Sequence, residues 1–177
     1  MFGVFFSYSA SLVPTVTGLR IGMAAAKGIV FAAQVPFIGV QTLEAIALSC
    51  PVIDRPFWCL LDARKQEVYA ACYCVGAHGL PEQCSPVEAI RPEVLAEKIE
   101  RPALLAGPGL NEYHAFFAGI EGLRLIPPAL TAPKAARIGF LAAEQLLQGK
   151  IMDPASAAPL YVRASEAEVN LQKKKSK

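Results

Sequence analysis

The stretch Thr17-Gly18-Leu19-Arg20-Ile21-Gly22-Met23-Ala24-Ala25-Ala26-Lys27-Gly28-Ile29-Val30-Phe31-Ala32-Ala33-Gln34 decides how this chain is read. After Thr17, which suits a helix N-cap, its only polar side chains are Arg20, Lys27 and Gln34, spaced by seven. On a helix these make one narrow polar stripe, so protein must cover nearly all the remaining circumference. Gly18, Gly22 and Ala25 or Ala26 add a strip of small residues along which another helix can approach closely. The covering partner is either this chain's own core or a second chain, and the stretch alone leaves both open.

Outward from this helix the pattern alternates between the two periodicities. Pro36–Val40 reads as a short buried strand, Thr42–Leu48 as a helix capped by Gln41 or Thr42, and Phe57–Asp62 as another strand. Asp62–Gln66 supplies a turn and Glu67–Val75 a returning strand, which makes a hairpin and therefore a mixed sheet. Pro81–Arg91 reads as turns, Pro92–Ile99 as a helix opened by proline, and Ala103–Ala106 as a strand running into Gly107-Pro108-Gly109. Residues 110–117 suit a short helix and Leu123–Ile126 a strand. Pro133–Gln148 reads as a helix stopped by Gly149, burying Ala135, Ile138, Gly139, Ala142 and Leu146. Pro159–Arg163 is predicted as a last strand, and Ser165–Lys177 has no pattern. At the other end Phe2, Val4, Phe5 and Phe6 read as a strand and Ser7–Ser11 as loop. No internal repeat is present, and the class is α/β.

Composition bounds the function. Of 177 residues 54% are apolar and 18% charged, which excludes disorder except at the ends. No apolar run reaches the roughly 18 residues of a membrane span, because Arg20 and Lys27 break the richest stretch. The 17 basic residues outnumber the 15 acidic ones only through Lys173, Lys174, Lys175 and Lys177. The folded part therefore lacks the basic excess of a stand-alone nucleic-acid binder, and the lysine tail reads as solvated, an RNA contact being the alternative. Cysteines 50, 59, 72, 74 and 84 are odd in number and contain no Cys-x-x-Cys pair, which argues against a disulfide framework and for a reducing, cytoplasmic setting. Cys72 and Cys74 would share one face of a strand as small apolar residues. His78 and His114 make no helical pair, so no metal site is expected. Met1–Phe6 has neither a basic start nor a cleavage site, so no secretory leader is expected.

Candidate chemistry is sparse. There is no Gly-x-Ser-x-Gly elbow and no cysteine in a recognisable nucleophile neighbourhood. Gly107-Pro108-Gly109 stands between a strand and a helix, as a phosphate loop would, but lacks the Walker lysine and a third fingerprint glycine. A plain turn accounts for it. The sequence Asp62-Ala63-Arg64-Lys65-Gln66-Glu67 puts both charge signs at a hairpin tip, which is either a surface turn or a contact for a partner or phosphate.

These blocks also carry a resemblance. Thr17 to Gly28, Pro36 with Gly39-Val40 and Leu43-Glu44-Ala45, Asp62-Ala63-Arg64 with Glu67-Val68-Tyr69-Ala70, and Pro159-Leu160-Tyr161-Val162-Arg163 resemble, in order and spacing, the TsaB (YeaZ) family. The resemblance covers about residues 15 to 165. It implies the actin-like (ribonuclease H-like) two-lobed fold with mixed sheets. It also implies a role in placing threonylcarbamoyl on the adenosine at position 37 of tRNA, beside a catalytic TsaD-like subunit and a TsaE-like ATPase. The helix matching Thr17–Gln34 serves in that family for binding TsaD or for self-association.

Two departures stand out. Where the family reads Gly-Pro-Gly-Ser-Phe-Thr-Gly, this chain has Leu12-Val13-Pro14-Thr15-Val16-Thr17-Gly18, keeping only the final Thr-Gly. The Asp-Thr-Ser strand, hairpin and long helix that precede this loop in the family do not fit into Met1–Ser11, so a shortened first lobe is expected. The resulting expectation is a partial N-terminal lobe over 1–50, a C-terminal lobe over 51–165 and a flexible basic tail over 166–177. The expected function is that of a non-catalytic scaffold without a cofactor, reaching tRNA only through the complex, with a homodimer as a further option and no membrane contact. Its expected partner surface is Thr17, Gly18, Arg20, Gly22, Met23, Ala26 and Lys27, with a secondary hairpin contact at Asp62 and Arg64. The alternatives are a stand-alone actin-like phosphotransferase, a glycoprotease-like peptidase, or an inactive truncated remnant.

Overall fold

The computed structural model describes residues 4–6, 16–50, 55–76, 78–160 and 162. Its centre is the expected hairpin, β3 (Phe57–Arg64) with β4 (Glu67–Val75), antiparallel from Phe57↔Tyr73 to Arg64↔Glu67. Both strands are apolar along most of their length because both faces of the sheet are covered. One face sets Phe57, Cys59, Leu61, Ala71 and Tyr73 against Leu43, Ile46 and Ala47 of α2 (Thr42–Ala47). The other sets Leu60, Val68 and Ala70 against Leu95 and Ala96 of α3 (Pro92–Lys98) and Leu110 and Phe117 of α4 (Leu110–Ala118). β7 (Ala103–Ala106) pairs parallel with β3, and β8 (Leu123–Leu125) parallel with β7, so the sheet is mixed as expected.

The same sheet holds two strands that the sequence pattern does not show. β5 (Pro81–Gln83) and β6 (Glu88–Ile90) lie within the segment expected to be turns, and both pair antiparallel with the outer edge of β4. An edge strand tolerates Pro81 because its N–H side faces no neighbour, and the ribbon's partial exposure permits Glu82, Gln83 and Glu88.

A second, smaller sheet pairs β1 (Val4–Phe6) parallel with β2 (Phe37–Gly39). α6 (Ala135–Leu147) packs Ile138, Leu141 and Ala142 on Ile38, Val40 and Ala45, so α2 is buried between the large sheet and α6. α1 (Val16–Ala33) lays Ala26 and Val30 on Phe37 and Ala157. Met152 closes the layer, its N–H donating to the Phe37 carbonyl at 2.8 Å.

Several boundaries differ from expectation. α1 begins at Val16, so Thr17 lies in the first turn and is not the cap. α6 begins at Ala135 after Lys134, leaving Pro133 outside it, and a short helix, α5 (Pro128–Thr131), precedes it. Pro159, Leu160 and Val162 belong to no strand; Tyr161, Arg163, the loop before Val16 and the basic tail lie outside the described residues.

Candidate interaction surface

α1 owes its helicity to an alanine-rich, unbranched middle, Gly22 to Gly28, that loses little rotamer freedom on ordering. Its inner face is narrow. Ala26 is 4% exposed and Val30 2%, with Leu19, Gly22, Met23 and Lys27 half-buried beside them. Ala26, one residue of the expected surface, packs into the chain's own core with Val30, Phe37 and Ala157. Gly22 and Met23 stand on the same inward side.

The outward side carries residues outside that expected surface. Ile21 is 65% exposed and Phe31 76%, and with Ala24, Ala25, Gly28 and Ala32 they form a second apolar face. A Cβ built on Gly28 meets nothing within 4 Å, so the centre of this face is open. Arg20 is exposed, and the stripe of Arg20, Lys27 and Gln34 separates the two faces rather than bounding a single one. Helical periodicity alone could have found both faces, because the two stripes recur at i, i+3, i+4 and i+7. It could not say which faces inward. The structure describes Gly18 as half-buried near the helix start; Thr17 is placed in the helix backbone.

Below α1, the Asp153 carboxylate accepts from the Ala155 N–H at 3.0 Å and from the Ser156 hydroxyl at 2.8 Å. These bonds, with a smaller contribution from Lys27, hold its pKa below the usual range.

The hairpin tip brings Asp62 and Arg64 together. Arg64 Nη1 lies 3.3 Å from Asp62 Oδ2, and Arg64 N–H donates to Asp62 Oδ1 at 2.8 Å. Arg64, Lys65 and Gln66 all take positive φ, of 60°, 53° and 61°. A two-residue hairpin loop demands this left-handed geometry at Lys65 and Gln66, and the Asp62 bond to the backbone helps hold it without glycine. Tyr113 of α4 stands nearby, its hydroxyl pKa raised by desolvation first and then by Asp62, Glu112 and Glu93.

Gly107-Pro108-Gly109 is a packed turn. The Gly107 N–H donates to Thr131 Oγ1 at 3.0 Å, the Gly109 N–H to the Leu60 carbonyl at 3.0 Å, and Pro108 has none. The next two N–H groups, of Leu110 and Asn111, bond back to Gly107 and Pro108. The backbone donors a phosphate would need are already in use. Gly107 itself sits at φ 110°, where a Cβ would collide with the Leu60 carbonyl oxygen. Among the described residues no group of three or more His, Cys, Asp or Glu is placed to hold a metal, and no helix is long and apolar enough to cross a membrane.

Known proteins match this chain over most of its length. A family model described as TsaD, tRNA N6-adenosine threonylcarbamoyltransferase, matches residues 15–171. The chain is similar to the tRNA threonylcarbamoyladenosine biosynthesis protein TsaB of Bacillus subtilis, 28% identical over 158 residues, which cover 86% of this chain and 66% of that protein. Against TsaB of Escherichia coli the identity is 29% over 157 residues, covering 85% and 67%. An uncharacterized protein of Mycobacterium bovis is 32% identical over 152 residues, covering 85% of this chain and 60% of the relative. The chain thus spans about two thirds, or less, of the length of these relatives.

Among solved structures, one titled as an uncharacterized protein with similarity to peptidase YEAZ from Pseudomonas aeruginosa aligns with a TM-score of 0.69 at 24% identity, covering 84% of this chain and 69% of that one. YeaZ from Pseudomonas aeruginosa aligns at 0.66 and 24%, covering 82% and 68%. These structures share the fold, which is α/β with a mixed sheet and of the actin-like (ribonuclease H-like) class. From the extent of the family match and the curated relatives, the chain belongs to the TsaD-related family and, within it, to the TsaB (YeaZ) group.

Proposed function

We propose that this chain serves the formation of N6-threonylcarbamoyladenosine at position 37 of tRNA as a non-catalytic scaffold or activator subunit. In this reading the outward face of α1 docks a TsaD-like catalytic subunit. The observation that carries it is that face itself, an apolar stripe from Ile21 to Ala32 that nothing in the described chain covers. Apolar area of this continuity is what a partner surface uses. The small residues Ala24, Ala25 and Gly28 at its centre let another helix come close, and Arg20 at its margin supplies a charge to fix register. The same proposal includes a TsaE-like ATPase as third partner, tRNA reached only through the complex, a cytoplasmic setting, and a secondary contact at Asp62 and Arg64. It also includes two lobes, roughly 1–50 and 51–165, with α6 crossing back onto the first.

A phosphotransferase working alone is disfavoured by the Gly107–Gly109 turn, whose N–H groups are occupied by Thr131 and Leu60. Immobilised TsaD homologue from the same organism tests the docking reading. Wild-type chain should be retained, and Ile21→Glu should pass through while keeping the wild-type far-UV spectrum. Equal retention of a folded Ile21→Glu would move the interface off α1.

A further inference from the structure

Cys72, Cys74 and Cys84 meet at the edge of the large sheet, on the side of β4 that α3 and α4 leave partly open. Continuing the register Cys74↔Glu82 and Tyr73↔Gln83 puts Cys84 directly opposite Cys72. The Cys84 N–H donates to the Cys72 carbonyl at 2.8 Å, while the Cys72 N–H is taken by Ser85 Oγ at 2.9 Å. Alternation along the strand sends the Cys72 and Cys74 side chains to one face, and Cys84, as the opposed residue, to the same face. The Cys74 and Cys84 thiols both approach the Glu82 carbonyl oxygen, at 3.7 and 3.6 Å. Cys84 is exposed and Cys72 half-buried, whereas Cys59 is closed into the core.

Hydrogen-bonded antiparallel neighbours stand about 5.5 Å apart at Cα, inside the window of about 4.4–6.8 Å that a disulfide spans. A diagonal pair such as Cys74 and Cys84 typically stands about 7–8 Å apart, beyond the usual disulfide window, although here both thiols meet at the Glu82 carbonyl. The opposed pair is therefore the one the geometry favours.

We propose that Cys72 and Cys84 form a site of reversible oxidation, closing an intramolecular disulfide across the β4 edge by exchange with a low-molecular-weight disulfide such as oxidised glutathione. The exposed Cys84 thiolate attacks one sulfur of oxidised glutathione, the S–S bond breaks, and the first glutathione leaves and takes up a proton. The Cys72 thiolate then attacks the Cys84 sulfur of the mixed disulfide and releases the second glutathione. Two protein thiols are oxidised and one glutathione disulfide is reduced to two thiols. Partial desolvation first, and then the neighbouring Cys74 and Cys72 sulfurs, raise the Cys84 thiol above its usual range, so exchange quickens as pH rises. The bond would fasten the middle of the ribbon from β5 to β6, which otherwise holds β4 through two three-residue strands.

The sequence makes the test direct, because cleavage after glutamate separates Val68–Glu82, carrying Cys72 and Cys74, from Gln83–Glu88, carrying Cys84. Full-length chain incubated with oxidised glutathione, blocked with iodoacetamide and so digested should yield these two peptides joined, with Cys74 alkylated. The joined species should persist in Cys74→Ser and vanish in Cys72→Ser. The wild-type peptide map decides the matter even if a variant fails to fold. Glutathione remaining on Cys84 without the joined peptide, a bond to Cys74, or all three thiols alkylated would each overturn the proposal.

Discussion

Replacing Phe31 with alanine separates what α1 does for the fold from what it does for a partner. Phe31 is 76% exposed, so the chain on its own gains little from the ring. Alanine is the better helix former by roughly 0.5 kcal/mol, which offsets the little packing that the ring makes within the chain. Stability should therefore stay within about 0.5 kcal/mol of wild type. In the complex the balance changes. An aromatic side chain buries about 150–250 Å², about three quarters of it still available here, and at about 25 cal/mol per Å² its loss removes about 3 kcal/mol or more. That corresponds to roughly a hundredfold weaker binding. Titration calorimetry with the TsaD homologue would read the affinity, and thermal unfolding the stability. Val30→Ala is the opposite control. Val30 is 2% exposed and packs on the chain's own core, so its truncation should lower stability by about 1–2 kcal/mol while changing affinity little. A Phe31→Ala chain that binds within twofold of wild type would refute the reasoning that the outward face is the docking surface.

Other consequences follow from the same geometry. Gly28→Leu should raise helix stability, since nothing lies within 4 Å of the added Cβ, yet weaken the complex more than tenfold by blocking close approach; unchanged affinity by calorimetry would show that no helix packs there. Thr131→Val removes the acceptor of the buried Gly107 N–H and should cost about 1–3 kcal/mol in urea unfolding; a neutral result would mean that the turn finds another partner. Glu44, on α2, has its pKa raised above 4.5 by desolvation, the Gln145 hydrogen bond opposing this. A carboxyl that binds its proton more tightly when folded stabilises most below 4.5, and that contribution is lost as pH rises through the folded value. Glu44→Gln should therefore flatten the decline of stability with pH above 4.5, measured by thermal unfolding; an unchanged slope would put the decline elsewhere.

The central hairpin was legible because its strands are apolar nearly throughout and its turn concentrates charge between Asp62 and Glu67, so periodicity and turn chemistry agreed. β5 and β6 were not legible, because edge strands of three residues with Pro81 and several acidic or amide side chains look like turns until β4 is known to lie beside them. α1 was visible as a helix but not in its rotation. Ala26 and Ala25 are identical as residues, and only the placement of Phe37 and Ala157 decides that the first is buried and the second open. The same holds for the cysteines, since Cys72 and Cys74 could be put on one strand face by counting, while Cys84 joins them only through the pairing of β5 with β4. Pairings between distant segments carry this information, and they leave no local pattern.

The most direct test of the docking account is the solution mass, by light scattering, of this chain mixed with the TsaD homologue of its organism. The account predicts a stable one-to-one or two-to-two complex that falls apart when Phe31 is replaced by alanine. Two species eluting separately at their own masses, with this chain folded, would contradict it.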